Sequence, residues 1–151
     1  MTKTIGYCVL ICGVTFVGVV AMSHPTALSD EHSFLAGFVG NELLAVLGVI
    51  LAITIAAAAQ LHLSLNSIEE RVGADNLFPT TRRGIQSSVH WLIALFVIAI
   101  VLVVIKPFVT GSTTGQSLVN GTALVLLLWN ALILLSISSA VFGVKPVIDD
   151  G

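Results

Sequence analysis

The sequence predicts an all-α integral membrane protein, a four-transmembrane-helix bundle with short loops. Of its residues, 56% are hydrophobic and only 9% are charged, whereas soluble domains carry about 25% charged residues. Mean hydropathy is +1.06, and the apolar residues fall into four long runs. An α-helix needs about 20 apolar residues to cross a hydrocarbon core, and these runs are of that length. We therefore expect a single membrane domain over residues 1–151, with no soluble catalytic domain and no enzymatic activity.

Each apolar run predicts one helix. The second helix is expected to extend into the cytoplasm and to end near Gly73, because glycine readily adopts the left-handed conformation that closes a helix. The third is apolar all round, which favours the lipid-facing outside of the bundle. In the first, Cys8 and Cys12 are expected to be reduced and buried, since helix neighbours four apart are poorly placed for a disulfide. The helices are predicted at approximately residues 5–22, 33–72, 85–106 and 118–144.

Small and polar residues recur about every seven positions along the second helix. In lipid, small residues on one face let another backbone approach closely, and dispersion then holds the two helices together. The stripe predicts either a packing seam inside the bundle or a seam around the axis of a homo-oligomer, with a pore as one form of the latter. The predicted helix-interface or pore residues are Glu42, Ala45, Gly48, Ala52, Ala56, Ala59 and, on the fourth helix, Asn130.

Glu42 is the only acidic residue within a predicted membrane-embedded run. A carboxylate there is costly unless it pairs, takes up a proton or faces water. Lys106 lies at the same predicted depth on the third helix, so we expect a Glu42–Lys106 ion pair. There are two alternatives: Glu42 forms an ion or proton site, or its carboxylate simply reaches the membrane interface. Asn130 is predicted at mid-membrane, where its amide should form an interhelical hydrogen bond because lipid offers no partner.

Positively charged residues predict the orientation. The segment between the first two helices contains no Lys or Arg, whereas the N-terminus, the second connection and the C-terminus all do. The positive-inside rule therefore places both termini in the cytoplasm, and we expect a bacterial inner membrane. The residues behind this prediction are Lys3, Arg71, Arg82, Arg83 and Lys145.

The leading functional hypothesis is a non-enzymatic membrane subunit. It would oligomerise with its own copies or dock a cytoplasmic or membrane protein through residues 66–83. The alternative is a small oligomeric ion channel or membrane-perturbing effector, for example of a bacterial stress or defence operon, with Glu42 and the alanine stripe near its axis. A net charge of −2 offers no basic surface for nucleic acid. The predicted docking residues are Asn66, Glu69, Glu70, Arg71, Arg82 and Arg83.

Histidines suggest a further alternative. His62 and His90 are predicted at matching depth on consecutive helices, and two histidines at one depth can supply the axial ligands of a b-type haem. A haem-binding membrane anchor is thus a second alternative, although membrane lipid is the only bound molecule that we expect. His24 and His32 in the first connection lack the further ligands of a metal site.

Overall fold

A computed structural model describes the backbone of residues 3–31, 33–73, 77–109 and 111–142, and the side chains of 5–31, 34–73, 77–109 and 111–139. This part of the chain is helical and contains no β-strand. Four of its helices are long and apolar enough to cross a membrane, so the predicted all-α class is confirmed. The elements are α1 (Lys3–Ser23), a 3₁₀ turn (Pro25–Leu28), α2 (Ser33–Gly37), a π-helical segment (Phe38–Glu42), α3 (Leu43–Val72), α4 (Pro79–Val109) and α5 (Thr113–Phe142).

The second membrane-length element bends, where a continuous helix over 33–72 was predicted. Val39 (φ −80°, ψ 70°) and Gly40 (φ −168°, ψ −132°) have non-helical backbone angles. A glycine inside a helix costs about 1 kcal/mol relative to alanine, so a break is least costly there. The Val39 side chain is buried in the core, and Phe34 stacks on Phe38 with ring centroids 5.4 Å apart in the arm before the bend.

Capping residues set two of the helix ends. α3 ends at Gly73, as predicted, with φ 68° and ψ 25°, and the Gly73 N–H donates to the Glu69 carbonyl at 2.9 Å. α5 begins at Thr113, earlier than predicted, because the Ser112 hydroxyl accepts a hydrogen bond from the Gly115 N–H at 3.0 Å. A serine oxygen on a free N–H of the first turn is a stabilising N-cap. The predicted end at 144 lies outside the described residues, as does Lys145.

α4 is longer than predicted at both ends. It begins at Pro79 instead of Ile85, since proline suits the first turn of a helix, where no N–H is needed. Gly84, which was expected to precede the helix, lies within it. At the other end α4 continues past Lys106 to Val109.

The long helices stand side by side in the order α1, α5, α4, α3, each antiparallel to its neighbour along the chain. α4 packs between α3 and α5 and buries Leu92, Leu95 and Ala99. Its predicted place on the outside is therefore wrong. The reason is that α1 docks on α5, which leaves α4 in the middle, and a uniformly apolar surface suits a central helix as well as a peripheral one.

Glycines bring α1 and α5 close together. A Cβ added to Gly13 would lie 2.6 Å from Leu128 Cδ2, and one added to Gly121 would overlap Val17 Cγ1. Close approach of this kind is what holds helices together where lipid removes the hydrophobic drive. The first helix thus uses Gly13 for packing.

The rest of α1 contributes little to the interior. Cys8 and Cys12 are free and exposed, so their predicted burial is wrong. They lie on the part of α1 that α5 does not cover. The side chain of Lys3 lies outside the described residues.

Candidate functional site

The small side chains of α3 face away from the rest of the chain. With about 3.6 residues per turn, they fall roughly opposite the buried face of the helix, which packs on α4. We define the small-residue face as Glu42, Ala45, Ala52, Ala56 and Ala59, all of them exposed. The buried face contains Leu43, Leu47, Thr54 and Leu65. The prediction that these small residues form a packing seam inside the bundle is therefore wrong, because their side chains are exposed.

Gly48 is the exception among the predicted stripe residues. It is half-buried, and a Cβ added there would lie 3.6 Å from the ring of Phe96 on α4. Gly48 therefore belongs to the contact between α3 and α4 inside the chain.

The expected ion pair between Glu42 and Lys106 is wrong. Lys106 Nζ lies 3.1 Å from Asp30 Oδ1 and 3.5 Å from the Ala36 carbonyl oxygen. Glu42 takes part in neither of the two ion pairs found among the described residues. The cause is the segment after α1, which folds over this end of the bundle and brings Asp30 to Lys106, while Glu42 follows the bend and lies on the outward face.

Asp30 is the centre of a polar network. Its Oδ1 accepts hydrogen bonds from Lys106 Nζ and, at 2.9 Å, from Asn120 Nδ2. Asn120 Nδ2 also donates to the Leu28 carbonyl at 2.8 Å, and the Asp30 N–H donates to Gln116 Oε1 at 3.2 Å. The Asp30 network (Asp30, Lys106, Gln116, Asn120) thereby joins the segment after α1 to both α4 and α5.

Three buried oxygens on α5 have no hydrogen-bond partner in the described part of the chain: Ser117 Oγ, Asn120 Oδ1 and Asn130 Oδ1. Leaving such an atom unpaired costs about 1–3 kcal/mol. The interhelical hydrogen bond predicted for Asn130 does not form among the described residues. Its carboxamide is instead buried on the side of α5 that faces its neighbours.

At the other end of the bundle, Arg82 ties α4 to α3. Arg82 Nη2 donates to Glu69 Oε2 at 2.7 Å and to Asn66 Oδ1 at 2.6 Å. Glu69 Oε1 accepts a further hydrogen bond from the Leu77 N–H at 2.9 Å. We call Asn66, Glu69 and Arg82 the Arg82 clamp. These predicted docking residues therefore bind one another, whereas Glu70, Arg71 and Arg83 remain exposed.

His62 and His90 line one cleft of about 330 Å³ between α3 and α4, together with Arg82 and Gln86. Both histidines are exposed. His90 Nδ1 lies 2.7 Å from the Gln86 carbonyl oxygen, an arrangement that directs Nε2 away from the backbone. The two histidines of the haem alternative thus meet at one cleft. The described residues contain no group of three His, Cys, Asp or Glu side chains placed to hold a metal, and His32 lies outside them.

A second cleft, of about 380 Å³, lies between α1, α4 and α5. Trp91 and Trp129 line it with ring centroids 5.4 Å apart. Neither this cleft nor the role of Asp30 was predicted, because both depend on residues far apart in the chain. For Asp30 one signal was present in the sequence: the first connection, which contains it, and Lys106 are both placed at the same end of the bundle by the order of the four apolar runs.

The chain matches no protein-family model, no curated protein and no solved structure. The outward face of α3, the two polar clusters and the two clefts are the features that bear on its function.

Proposed function

We propose that this protein is a small, non-enzymatic membrane subunit that crosses the bilayer four times and assembles with copies of itself. The observation that carries the proposal is the orientation of α3, which buries Leu43, Leu47 and Leu65 within the chain and leaves the alanines of the small-residue face exposed. Alanine offers lipid little contact area but lets a second helix backbone approach closely. The small-residue face would then be the contact between subunits.

Membrane placement is supported by the outer surface as well as by helix length. Large apolar side chains on several long helices are more than half exposed, which soluble monomers avoid over extended areas. Exposed apolar side chains cost free energy in water, and lipid around them removes this cost. Examples are Phe16, Ile53, Val104 and Phe108.

We place the end that carries the Arg82 clamp in the cytoplasm, in keeping with its arginines. The clamp joins the end of α3 to the start of α4, so a cytoplasmic or membrane partner would meet the exposed charges beside it. Those are Glu70, Arg71 and Arg83.

The test of assembly is a pair of matched substitutions on α3. Ala52→Leu puts a bulky side chain on the small-residue face, and overpacking a close contact costs about 1–3 kcal/mol. Ala57→Leu makes the same change at an exposed position on another side of the helix. Native mass spectrometry should show an oligomer for the unmodified protein and for Ala57→Leu, and a smaller species for Ala52→Leu.

Two results would contradict the assembly proposal. One is a monomer for the unmodified protein in mild detergent. The other is unfolding of Ala52→Leu instead of dissociation, since the position is exposed in the single chain.

A channel is a second candidate, favoured by Glu42, which is exposed at one end of the small-residue face. In an oligomer built on that face, copies of Glu42 would form a ring of carboxylates, an arrangement that attracts cations. Conductance of the protein in liposomes tests this function. Cation selectivity that Glu42→Gln lowers would support the channel, and an absence of conductance would exclude it.

A haem anchor is supported only by the cleft that His62 and His90 share. A visible absorption spectrum of the purified protein tests it. A Soret band that is lost in His62→Ala and kept in His24→Ala would support haem ligation, whereas the absence of a band would exclude it.

A further inference from the structure

We propose that the cleft between α1, α4 and α5 binds an uncharged, ring-bearing amphiphile of the quinone class, taken up from the membrane. This binding function is separate from assembly through α3. It relies only on the membrane placement proposed above, which supplies the ligand.

The size and composition of the cleft suit a small molecule without charge. Its volume of about 380 Å³ lies within the range of about 300–1,000 Å³ that is typical of ligand sites. No charged residue lines it. A phosphate headgroup would find no cation there, so the lining favours a neutral ligand.

Two indole rings form one wall. Trp91 on α4 is half-exposed, and Trp129 on α5 stands against it with an interplanar angle of 32°. Trp91 therefore keeps part of its ring free for a second aromatic partner. A flat ring that packs there in an offset or tilted arrangement gains roughly 0.5–1.5 kcal/mol beyond the area that it buries.

The cleft also presents hydrogen-bond donors that the fold does not use. In the described part of the chain, the hydroxyls of Ser87, Ser88 and Ser136 make no hydrogen bond. By contrast, Thr54 and Ser139 return their hydroxyls to the carbonyl four residues earlier, at 2.7 and 2.8 Å. The three serine hydroxyls at the cleft are thus free to donate to a ligand, as are the two indole N–H groups.

Polar and apolar groups are separated along the direction of the helices. Towards the end that carries the Arg82 clamp, the lining consists of Gly6, Tyr7, Ser87, Ser88 and Ser136. Deeper in the bundle it consists of Leu10, Trp91, Trp129, Leu132 and Ile133. An amphiphile oriented along the membrane normal, with its polar group at the interface, matches this separation.

A quinone combines the properties that the lining selects. It is flat and uncharged, its carbonyl oxygens only accept hydrogen bonds, and its apolar tail keeps it in the bilayer. An acyl chain would leave the serine hydroxyls and indole N–H groups unused. An acyl chain that covers these donors removes water from them without offering an acceptor, which is costly, so the donors discriminate against a purely apolar occupant.

Intrinsic fluorescence reports directly on this site, because Trp91 and Trp129 are the only two tryptophans of the chain. Quinones quench indole fluorescence on contact. Titration of the detergent-solubilised protein with decylubiquinone should therefore give saturable quenching. The variants Trp91→Phe and Trp129→Phe each leave one reporter, and both should still be quenched.

Matched serine variants locate the binding. Ser136→Leu fills the cleft and should raise the apparent Kd at least about tenfold. Ser138→Leu makes the same change at an exposed position of α5 outside the cleft and should leave the Kd unchanged. Ser88→Ala removes one donor and should weaken binding less than Ser136→Leu. Ala52→Leu should bind as the unmodified protein does, which separates this site from the assembly proposal.

Two results would overturn the proposal. The first is quenching that rises linearly with decylubiquinone and is the same in Ser136→Leu, which would show partition into the detergent alone. The second is quenching by a brominated phosphatidylcholine that Ser136→Leu abolishes, without saturable quenching by decylubiquinone. The occupant would then be a lipid chain.

Discussion

Lys106 Nζ lies 3.1 Å from Asp30 Oδ1, so the segment after α1 neutralises the cation near the far end of α4. The two side chains are only 13% and 25% exposed, and Asn120 holds the same carboxylate oxygen from α5. Fully exposed ion pairs contribute only about 0–1 kcal/mol. Because this pair is partly buried and shares a hydrogen bond with Asn120, removing Asp30 or Lys106 should lower the free energy of unfolding by more than an exposed pair contributes.

The first prediction concerns this pair. Asp30→Asn and Lys106→Met should each lower the free energy of unfolding in detergent by about 1–3 kcal/mol, because each leaves a partly buried charge without its partner. The double variant should lose less than the sum of the two single losses, since the interaction can be removed only once. Glu42→Gln serves as the control and should change stability little. Strict additivity of Asp30→Asn and Lys106→Met would show that the pair contributes no coupling.

The second prediction concerns the Arg82 clamp. Arg82→Met should loosen the contact between the end of α3 and the start of α4, since Glu69 and Asn66 lose their shared donor. Amide hydrogen exchange over residues 66–73 and 77–83 should speed up. Arg83→Met removes the same kind of charge at the neighbouring exposed position and should behave as the unmodified protein does. Equal protection of both variants would mean that the clamp does not hold these two helix ends together.

The third prediction concerns the contact between α1 and α5. Gly121→Ala should destabilise the fold by about 1–3 kcal/mol, because its new methyl group overlaps Val17, whose branched side chain has little rotamer freedom. Gly18→Ala has open space around it and should be neutral or stabilising. Both changes raise helix propensity equally, so the difference in thermal stability isolates the close contact. Equal stability of the two variants would contradict the packing of Gly121 against Val17.

The fourth prediction concerns orientation. With Cys8 and Cys12 replaced by alanine, single cysteines at Gly111 and Glu70 lie at opposite ends of the bundle. A membrane-impermeant thiol reagent applied to intact cells should label Gly111→Cys, and it should label Glu70→Cys only after the cells are opened. If the reagent labels both cysteines in intact cells, or labels neither of them there, the four-span arrangement with cytoplasmic termini is contradicted.

Local features of the chain were predicted well. Four long helices follow from the length of the apolar runs, and the end of α3 follows from the left-handed preference of Gly73. Predictions that required neighbours to be known fared worse. The Glu42–Lys106 pair assumed that charges at equal depth meet, but depth does not say which helix faces which, and Asp30 on a connecting segment reached Lys106 instead.

By itself, the sequence determined the all-α class and the number and approximate positions of the membrane-length helices. These depend on composition and on run length, which are properties of contiguous residues. Only the tertiary structure decided that α4 lies between α3 and α5, that the small-residue face of α3 is exposed, and that two tryptophans meet at one cleft. Apolar helices pack without a strong directional preference, so neighbours and facing sides are set by close steric fit and by a few buried polar contacts. Those contacts join residues that are far apart in the chain, and the spacing of two such residues in the sequence does not predict the distance between them in space.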